Sequence, residues 1–259
     1  MSTSDPFRLD AKHVVITGAG GGIGRALVDV FKAAGAIVTG CDRDENLLAE
    51  TPADHRLVFE LTDAKASAAA IKSHIAAHGA PAAIVSNAGF TRAETFAGLD
   101  AETWASEVDL NLNGSFNVVA PVVEAMAEAG GGSVVFISSV NALAHYGNPA
   151  YAAAKAGLIA YARGLAVERG SDGIRANVVA PGSVRTPAWD HRLEKNPDLL
   201  AKVLPHYPLG RLVAPEDVAR AALFLAAPAS AGITGITLPV DAGLTAGNLR
   251  FVNDVLKGA

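Results

Sequence analysis

Short apolar runs rich in β-branched residues alternate with alanine-rich segments of helical periodicity along nearly the whole chain. Such alternation predicts parallel strands joined by right-handed helical crossovers. We therefore expect an α/β fold, a doubly wound sheet of seven mostly parallel strands with helices on both faces. The predicted strands are HVVIT (13–17), AIVTGC (36–41), RLVFE (56–60), AAIVS (82–86), SVVFIS (133–138), RANVVA (175–180) and GITLPV (235–240).

The length and the apolar content indicate one domain. The chain has 259 residues, of which 50% are hydrophobic, which is enough for a single large core. We expect residues 1–259 to form one domain, since no Pro- or Ser-rich linker divides them. The irregular stretch 182–213 carries four prolines. It is interpreted as a substrate lid, the alternative being a surface connection with a short helix.

The charge pattern argues against polyanionic partners. A formal net charge of -5 leaves no general basic surface for nucleic acid or for an anionic membrane, so we expect a small-molecule partner and no bound metal. The single cysteine, Cys41, has no partner for an intramolecular disulfide. The N-terminus lacks the apolar core of a signal peptide, and no apolar run reaches transmembrane length. We expect a cytoplasmic protein.

A glycine-rich stretch, TGAGGGIG (17–24), follows the first predicted strand and leads into a helical segment. Gly18, Gly22 and Gly24 permit a tight turn, a close approach of backbone amides to an anion, and close packing of the helix on the strand. The pattern predicts a pyrophosphate site at the helix N-terminus. A turn that needs glycine for steric reasons alone is the alternative.

The end of the second predicted strand bears on cofactor choice. Asp42 lies 18 positions beyond Gly24, close to the spacing at which an acidic side chain binds the adenosine ribose hydroxyls. Because a carboxylate there would oppose a 2'-phosphate, NAD is favoured over NADP. Arg43 is the counterweight, since an arginine beside the acid could turn toward a phosphate, whereas Gly21 in the loop supplies no basic side chain.

Three polar residues stand out in SSVNALAHYGNPAYAAAK (138–155). Asn148 and Pro149 are typical of an N-cap and a first helical position, which places Tyr151 and Lys155 at i and i+4 on one helix face. A tyrosine hydroxyl has a pKa of about 10, and depressing it by two to three units requires about 3–4 kcal/mol, which a nearby ammonium could supply. Ser138 could then fix the reacting oxygen. The alternative is a helix surface carrying an incidental Tyr and Lys.

Taken together, the motifs resemble the short-chain dehydrogenase/reductase family from about Asp10 to Gly243. The resemblance rests on TGAGGGIG, SNAG (86–89), NLNG (111–114), ISS (137–139), YAAAK (151–155), PGSVRT (181–186) and the final APEDVARAALFLAAPASAGITGITLPVDAG. It implies a Rossmann-like NAD(P)-binding fold and hydride transfer at a CH-OH carbon. Three positions depart from the usual family pattern: Ser86 for Asn, Glu60 for Asp, and Ala242 for Gly.

The resemblance also implies residue roles. Asn111 would kink its helix and hold a water in a proton relay, Tyr151 would be the general acid/base, and Lys155 would lower the tyrosine pKa and bind the nicotinamide ribose. Ser138 would orient the carbonyl. The full catalytic set is Asn111, Ser138, Tyr151 and Lys155. The expected cofactor-binding residues are Gly18, Gly21, Gly22, Ile23, Gly24, Asp42, Arg43, Leu61, Asp63, Asn87, Ala88, Gly89, Tyr151, Lys155, Pro181, Gly182, Val184 and Thr186.

The substrate-contacting residues are expected around the same crevice. Asn141 and His145 could bind extra hydroxyls and so favour a polyol, a sugar or another polar alcohol, whereas Trp189 could equally cover an apolar or cyclic ketone. The full expected set is Ser138, Asn141, His145, Tyr151, Ser183 and Trp189.

Three functions are compatible with these motifs. The leading one is an NAD-dependent oxidoreductase that interconverts a secondary alcohol and its ketone. The alternative is an NADPH-dependent 3-oxoacyl-thioester reductase acting on acyl-carrier-protein substrates. A non-catalytic nucleotide-binding sensor is the third, and the complete catalytic set argues against it.

Assembly is expected from the resemblance alone. It implies a homotetramer or dimer built on the helices near 100–129 and 149–169. The tail LTAGNLRFVNDVLKGA (244–259) either packs on its own subunit or docks on a neighbouring one and helps close that subunit's pocket.

Overall fold

A computed structural model describes residues 5–92 and 95–257 of the chain. Within them, seven strands form one sheet in the order β3-β2-β1-β4-β5-β6-β7, and every neighbouring pair is parallel. This confirms the predicted fold class. The strands are β1 His13–Thr17, β2 Ile37–Asp42, β3 His55–Val58, β4 Ala83–Ser86, β5 Gly132–Ile137, β6 Ile174–Pro181 and β7 Thr237–Val240.

Helices follow most strands and cover both faces of the sheet. They are α1 Gly22–Ala33, α2 Glu45–Ala49, α3 Ala64–His78, α4 Ala101–Val108, α5 Gly114–Glu128, α6 Pro149–Glu168, α7 Pro187–Lys195, α8 Leu199–Val203, α9 Pro215–Ala226 and α10 Leu249–Phe251. A π-helical turn, Asp109–Asn113, joins α4 to α5. Among the described residues, no helix combines the length and the apolar character needed to cross a membrane.

Two apolar layers hold the helices to the sheet. On one face, α1 and α9 bury Leu27, Phe31 and Leu225 against β1 and its neighbours. On the other face, α3, α5 and α6 bury an equivalent set that includes Met126 and Leu158. Because each fully buried side chain of this size contributes about 1.5–3 kcal/mol, both faces are well anchored, and the strand ends that carry polar residues are held in place.

The observed strand ends differ from the predicted ones by a few residues. Strand β2 extends to Asp42, because the chain continues to pair with β3 there. Strand β7 begins at Thr237, two residues later than predicted. Gly235 has a φ of 76°, a left-handed conformation that a strand does not accommodate. The apolar pattern therefore located each strand but not its exact bounds.

The stretch 182–213 contains α7, α8 and a small apolar cluster of its own. Trp189, Tyr207 and Leu212 are buried together, and the Tyr207 hydroxyl accepts a hydrogen bond of 3.0 Å from the Ser183 backbone N–H. The stretch is thus an ordered helical unit beside the carboxyl ends of β6 and β7. By contrast, residues 251–256 of the C-terminal segment leave their apolar side chains exposed, with Phe251 at 53% and Leu256 at 63%.

Candidate active site

A cleft of about 780 Å³ lies at the carboxyl ends of the strands, where the strand order reverses between β1 and β4. Ligands of open α/β sheets bind at this point, and the volume is in the range of small-molecule sites. Most of the residues expected from the sequence line it. These are Gly18, Gly21, Gly22, Ile23, Asp42, Arg43, Leu61, Asn87, Ala88, Gly89, Ser138, Tyr151, Lys155, Pro181, Gly182, Ser183, Val184, Thr186 and Trp189.

The glycine loop packs so closely against its neighbours that side chains at three of its positions would clash with them. Gly18 has a φ of 64°, and a methyl group there would lie 2.8 Å from the Ala88 Cα. A methyl group on Gly22 would lie 2.8 Å from the Thr186 side chain. Gly24 lies below the cleft lining, where a methyl group would be 1.9 Å from the Gly18 carbonyl oxygen. The loop therefore fits the cradle of a dinucleotide pyrophosphate.

Asn87 fastens this loop to the neighbouring strand end. Its side-chain amide donates to the backbone oxygens of Thr17 and Gly18, at 3.0 and 3.2 Å. In return, the Thr17 hydroxyl accepts from the backbone N–H groups of Asn87 and Ala88, at 3.0 and 3.1 Å. The ends of β1 and β4 are thus fixed to each other on the floor of the cleft.

The end of β2 presents an acidic surface to the cleft. One Asp42 carboxylate oxygen accepts from the Gly20 backbone N–H at 2.9 Å. Arg43 lies 3.5 Å from the Glu60 carboxylate, so its guanidinium is paired with the residue that replaces the usual aspartate. Leu61 lines the cleft beside them, whereas Asp63 caps the N-terminus of α3 by accepting from the Ala66 N–H and is not among the lining residues described.

Tyr151 and Lys155 project from α6 into the cleft, as their i, i+4 spacing predicts. The Lys155 ammonium lies 5.5 Å from the centre of the Tyr151 ring and donates to the Ile137 carbonyl oxygen at 2.9 Å. Burial raises the pKa of Tyr151 to about 12 and lowers the pKa of Lys155 to about 8. The structure thus differs from the expected depression of the tyrosine pKa, because both groups lose solvation here.

Two adjacent serines occupy different environments at the end of β5. The Ser138 hydroxyl donates to the backbone oxygen of Lys155 at 2.8 Å and is thereby engaged with α6. Ser139 also lines the cleft, and its side chain lies near enough to Tyr151 to oppose the effect of burial on the tyrosine pKa. Its hydroxyl donates to the Asn141 side-chain oxygen at 3.3 Å. Successive side chains point to opposite sides of an extended chain. Sequence reasoning named Ser138, which lines the cleft as expected, and did not name Ser139, which lines it too.

Asn111 is fully buried in the π-helical turn between α4 and α5. Its side-chain amide donates to the backbone oxygens of Phe90 at 2.8 Å and Glu107 at 2.9 Å. A methyl group on Gly89 would lie 2.6 Å from the Asn111 side-chain oxygen and 2.9 Å from the Lys155 nitrogen. Asn111 and Lys155 therefore flank the same backbone glycine at the inner end of the cleft.

The expected substrate residues separate into two groups. Ser183 and Trp189 line the cleft. Asn141 instead donates its amide to the Gly147 carbonyl oxygen at 2.9 Å, and His145 is exposed; neither is among the lining residues described. Asn148 has a φ of 51° and makes no side-chain cap bond, although α6 does begin at the next residue.

Sequence reasoning missed several lining residues for want of a signal. Phe90, Thr91, Ser139 and Asn148 line the cleft. Phe90 and Thr91 lie just past the SNAG motif and belong to no motif themselves, so only their position in the folded cleft identifies them. Within the described ranges, no group of three or more His, Cys, Asp or Glu is placed to bind a metal ion.

Comparisons with known proteins agree with this geometry. The family model described as Enoyl-(Acyl carrier protein) reductase matches residues 18–245. The chain is 42% identical to a solved oxidoreductase of the short-chain dehydrogenase/reductase family from Burkholderia thailandensis, with a TM-score of 0.89 over 96% of this chain and 98% of that one.

Two curated relatives show how widely the similarity extends. Acetoacetyl-CoA reductase of Acinetobacter is 38% identical and covers 91% of this chain and 98% of its own. D-threitol dehydrogenase of Mycolicibacterium smegmatis is 34% identical, with coverages of 95% and 97%. The glycine loop, the Tyr-Lys pair, the sheet order and these similarities together lead to one identification: the chain belongs to the short-chain dehydrogenase/reductase family and is an oxidoreductase.

Proposed function

We propose that this oxidoreductase uses NAD to interconvert a secondary alcohol and its ketone. The observation that carries the proposal is the placement of Tyr151, Lys155 and Ser139 in one cleft with the glycine loop. When bound, the nicotinamide ring would accept or supply the hydride. The protein side chains around the reacting carbon would transfer the hydroxyl proton and stabilise the oxygen of the alcohol or ketone.

Tyr151 holds that proton. In alcohol oxidation its phenolate removes the hydroxyl proton, and in ketone reduction its hydroxyl returns it. A pKa of about 12 means that the tyrosine is a poor base near neutral pH unless positive charge is brought close to it. Lys155 is the nearby cationic group, and its hydrogen bond to Ile137 fixes its ammonium at the inner end of the cleft.

We assign the orientation of the reacting oxygen to Ser139 rather than Ser138. The Ser139 side chain lies near enough to Tyr151 to lower its pKa against the effect of burial. Its hydroxyl accepts from the Asn141 backbone N–H at 3.2 Å, which keeps it beside the acid/base. Ser138, bonded to the Lys155 carbonyl, positions α6. Removing an oxyanion donor costs about 10²–10³ in kcat, so Ser139→Ala should show a loss of that order.

The acidic end of β2 supports NAD over NADP. Asp42 presents its carboxylate where the ribose hydroxyls would bind, and Glu60 pairs with Arg43, the nearby cation that could receive a 2'-phosphate. A phosphate there would face net negative charge. Asp42→Ser combined with Glu60→Gln should therefore raise the NADP to NAD ratio of kcat/KM by at least about tenfold.

The second candidate is a 3-oxoacyl-thioester reductase that uses NADPH. It is favoured by the similarity to acetoacetyl-CoA reductase, whereas the similarity to D-threitol dehydrogenase favours a polyol. Both reactions would use the same tyrosine, so the catalytic residues do not separate them. The carboxylate of Asp42 and the pairing of Glu60 with Arg43 support the alcohol dehydrogenase.

The deciding experiment measures initial rates by absorbance of the reduced cofactor. NAD and NADP are each tested with polyols, sugars, cyclic and aliphatic alcohols, and 3-hydroxyacyl thioesters. We expect NAD-linked turnover of one alcohol class, its loss in Tyr151→Phe, and a much larger loss in Ser139→Ala than in Ser138→Ala. NADP-linked turnover confined to thioesters would favour the second candidate, and nucleotide binding without any turnover would favour a sensor.

A homo-oligomer and a substrate lid complete the proposal. Trp104, Phe116 and Val167 are exposed at 43%, 55% and 83% and lie on α4, α5 and α6, the helices expected to form subunit contacts. The helical unit 187–206 supplies Trp189 to the cleft wall and would cover bound substrate.

Light scattering measures the oligomeric state. Deletion of residues 248–259 tests whether the exposed C-terminal segment contributes to the oligomeric state or to the Michaelis constant.

A further inference from the structure

Glu107 is a buried carboxylate next to the proposed catalytic residues. Of the eight residues of α4, all within the described part of the chain, it alone is buried, with 3% of its surface exposed. Burying a carboxylate is costly unless its oxygens accept hydrogen bonds, so its partners show what it holds. One helical turn later comes Asn111, whose side-chain amide donates to the Glu107 backbone oxygen at 2.9 Å.

The partners of Glu107 lie in the loop after β4. One carboxylate oxygen accepts from the Thr91 hydroxyl at 3.0 Å and also from the Arg92 backbone N–H. Asn111 accepts from the Phe90 N–H at 3.2 Å and donates to the Phe90 carbonyl at 2.8 Å. Three consecutive residues, 90–92, are therefore held by two side chains from the end of α4 and the π turn.

This loop forms a wall of the cleft. Phe90 and Thr91 line it together with Tyr151, and residues 90–92 belong to no helix or strand. A segment without backbone pairing of its own depends on side-chain partners for a fixed conformation. In addition, the negative charge of Glu107 raises the pKa of Tyr151, as burial does to a larger extent and in opposition to the effect of Ser139. Glu107 therefore lies within electrostatic reach of the acid/base.

We propose that Glu107 is a positioning residue, whose buried carboxylate fixes residues 90–92 as the substrate-side wall of the cleft beside Tyr151. The proposal rests on the function proposed above. It predicts that the acceptor oxygens of Glu107 control substrate binding, whereas its charge makes a smaller contribution, after burial, to the pKa of Tyr151.

Two substitutions separate these roles. Glu107→Gln keeps an oxygen that accepts from Thr91 and Arg92 but removes the charge, and Glu107→Leu has a similar size without an acceptor. We expect Glu107→Leu to raise KM for the alcohol at least about tenfold while KM for NAD changes less than about twofold. Glu107→Gln should keep KM within about twofold of the parent and move the tyrosine limb of the pH–rate profile to lower pH. Glu102 is an exposed carboxylate on the same helix, and Glu102→Gln is the matched control.

A second variant guards against misfolding of Glu107→Leu. Thr91→Val removes the hydroxyl that donates to Glu107 from the loop. The double variant Thr91→Val with Glu107→Leu should have the same KM for the alcohol as Glu107→Leu alone, because both substitutions remove the same Thr91–Glu107 hydrogen bond. Additive losses in KM, or a Glu107→Gln variant as impaired as Glu107→Leu, would overturn the proposal.

Amide hydrogen exchange supplies a readout that needs no turnover. In a peptide covering 86–92, the Arg92 amide should exchange at least about tenfold faster in Glu107→Leu than in the parent or in Glu107→Gln. If the parent oxidises none of the alcohols tested, the proposed function fails, and this measurement still decides whether Glu107 holds the loop. Unchanged exchange in Glu107→Leu would refute the positioning role whatever the substrate is.

Discussion

A histidine cluster at the amino ends of β1 and β3, away from the cleft at the carboxyl ends of the strands, makes stability sensitive to acid. The Thr39 hydroxyl on β2 lies 2.8 Å from the Nε2 atoms of both His13 and His74, which are themselves 3.1 Å apart. The rings of His55 and His78 pack against His74, with ring centres at 5.4 and 4.4 Å. Burial lowers the pKa of His74 to about 4, and repulsion from the other three histidines adds to this.

The sign and size of the effect follow from the two protonation equilibria. The unfolded chain binds a proton at His74 with a pKa of 6.5 and the folded protein at about 4, so protons favour unfolding between these values. The stability is fully present above pH 6.5 and is lost as the pH falls toward 4. At pH 5 the difference between the two equilibria amounts to about 2 kcal/mol.

Urea unfolding at pH 7 and pH 5 measures this loss. Between these two pH values, the parent protein should lose about 2 kcal/mol more free energy of unfolding than His74→Gln, which keeps a hydrogen-bonding side chain but does not titrate. His145→Gln, at an exposed histidine outside the cluster, is the control and should behave like the parent. An equal loss in the parent and in His74→Gln would refute the reasoning.

Three further predictions concern packing, helix ends and the acid/base. Gly24→Ala should lower the free energy of unfolding by about 1–3 kcal/mol, since the added methyl group would be 1.9 Å from a backbone oxygen. Gly164 lies on α6 with open space around it, so Gly164→Ala should leave this free energy unchanged or raise it by up to about 1 kcal/mol. Chemical denaturation measures both. Arg175→Met should lower the free energy of unfolding by about 1–3 kcal/mol, because Arg175 donates to the carbonyl oxygens of Leu225, at 2.9 Å, and Ala226 at the end of α9. Thermal unfolding measures this loss. Because burial raises the pKa of Tyr151 to about 12, kcat/KM for alcohol oxidation should rise with pH above neutrality, and a flat pH–rate profile from pH 7 to 9 would contradict this.

The sequence by itself determined the local elements and the residues that depend on them. Alternating apolar runs located seven strands to within a few residues, because period-two and period-3.6 patterns are local. The glycine loop needed only its own spacing, since its conformation is set by steric limits on the backbone. Tyr151 and Lys155 were placed on one helix face because i, i+4 neighbours coincide on any α-helix.

The tertiary structure decided everything that depends on which distant segments meet. Ser138 and Ser139 are chemically identical and adjacent, and only the direction of the chain as it leaves β5 decides which of them reaches Tyr151. The direction of the Tyr151 pKa shift depends on burial, which no spacing shows. Glu107 was found only through its contacts with a loop 15 residues earlier in the chain. In the histidine cluster, His13 and His74 meet although they are 61 residues apart in sequence, and their pKa values follow because desolvation and charge act through space and not along the chain.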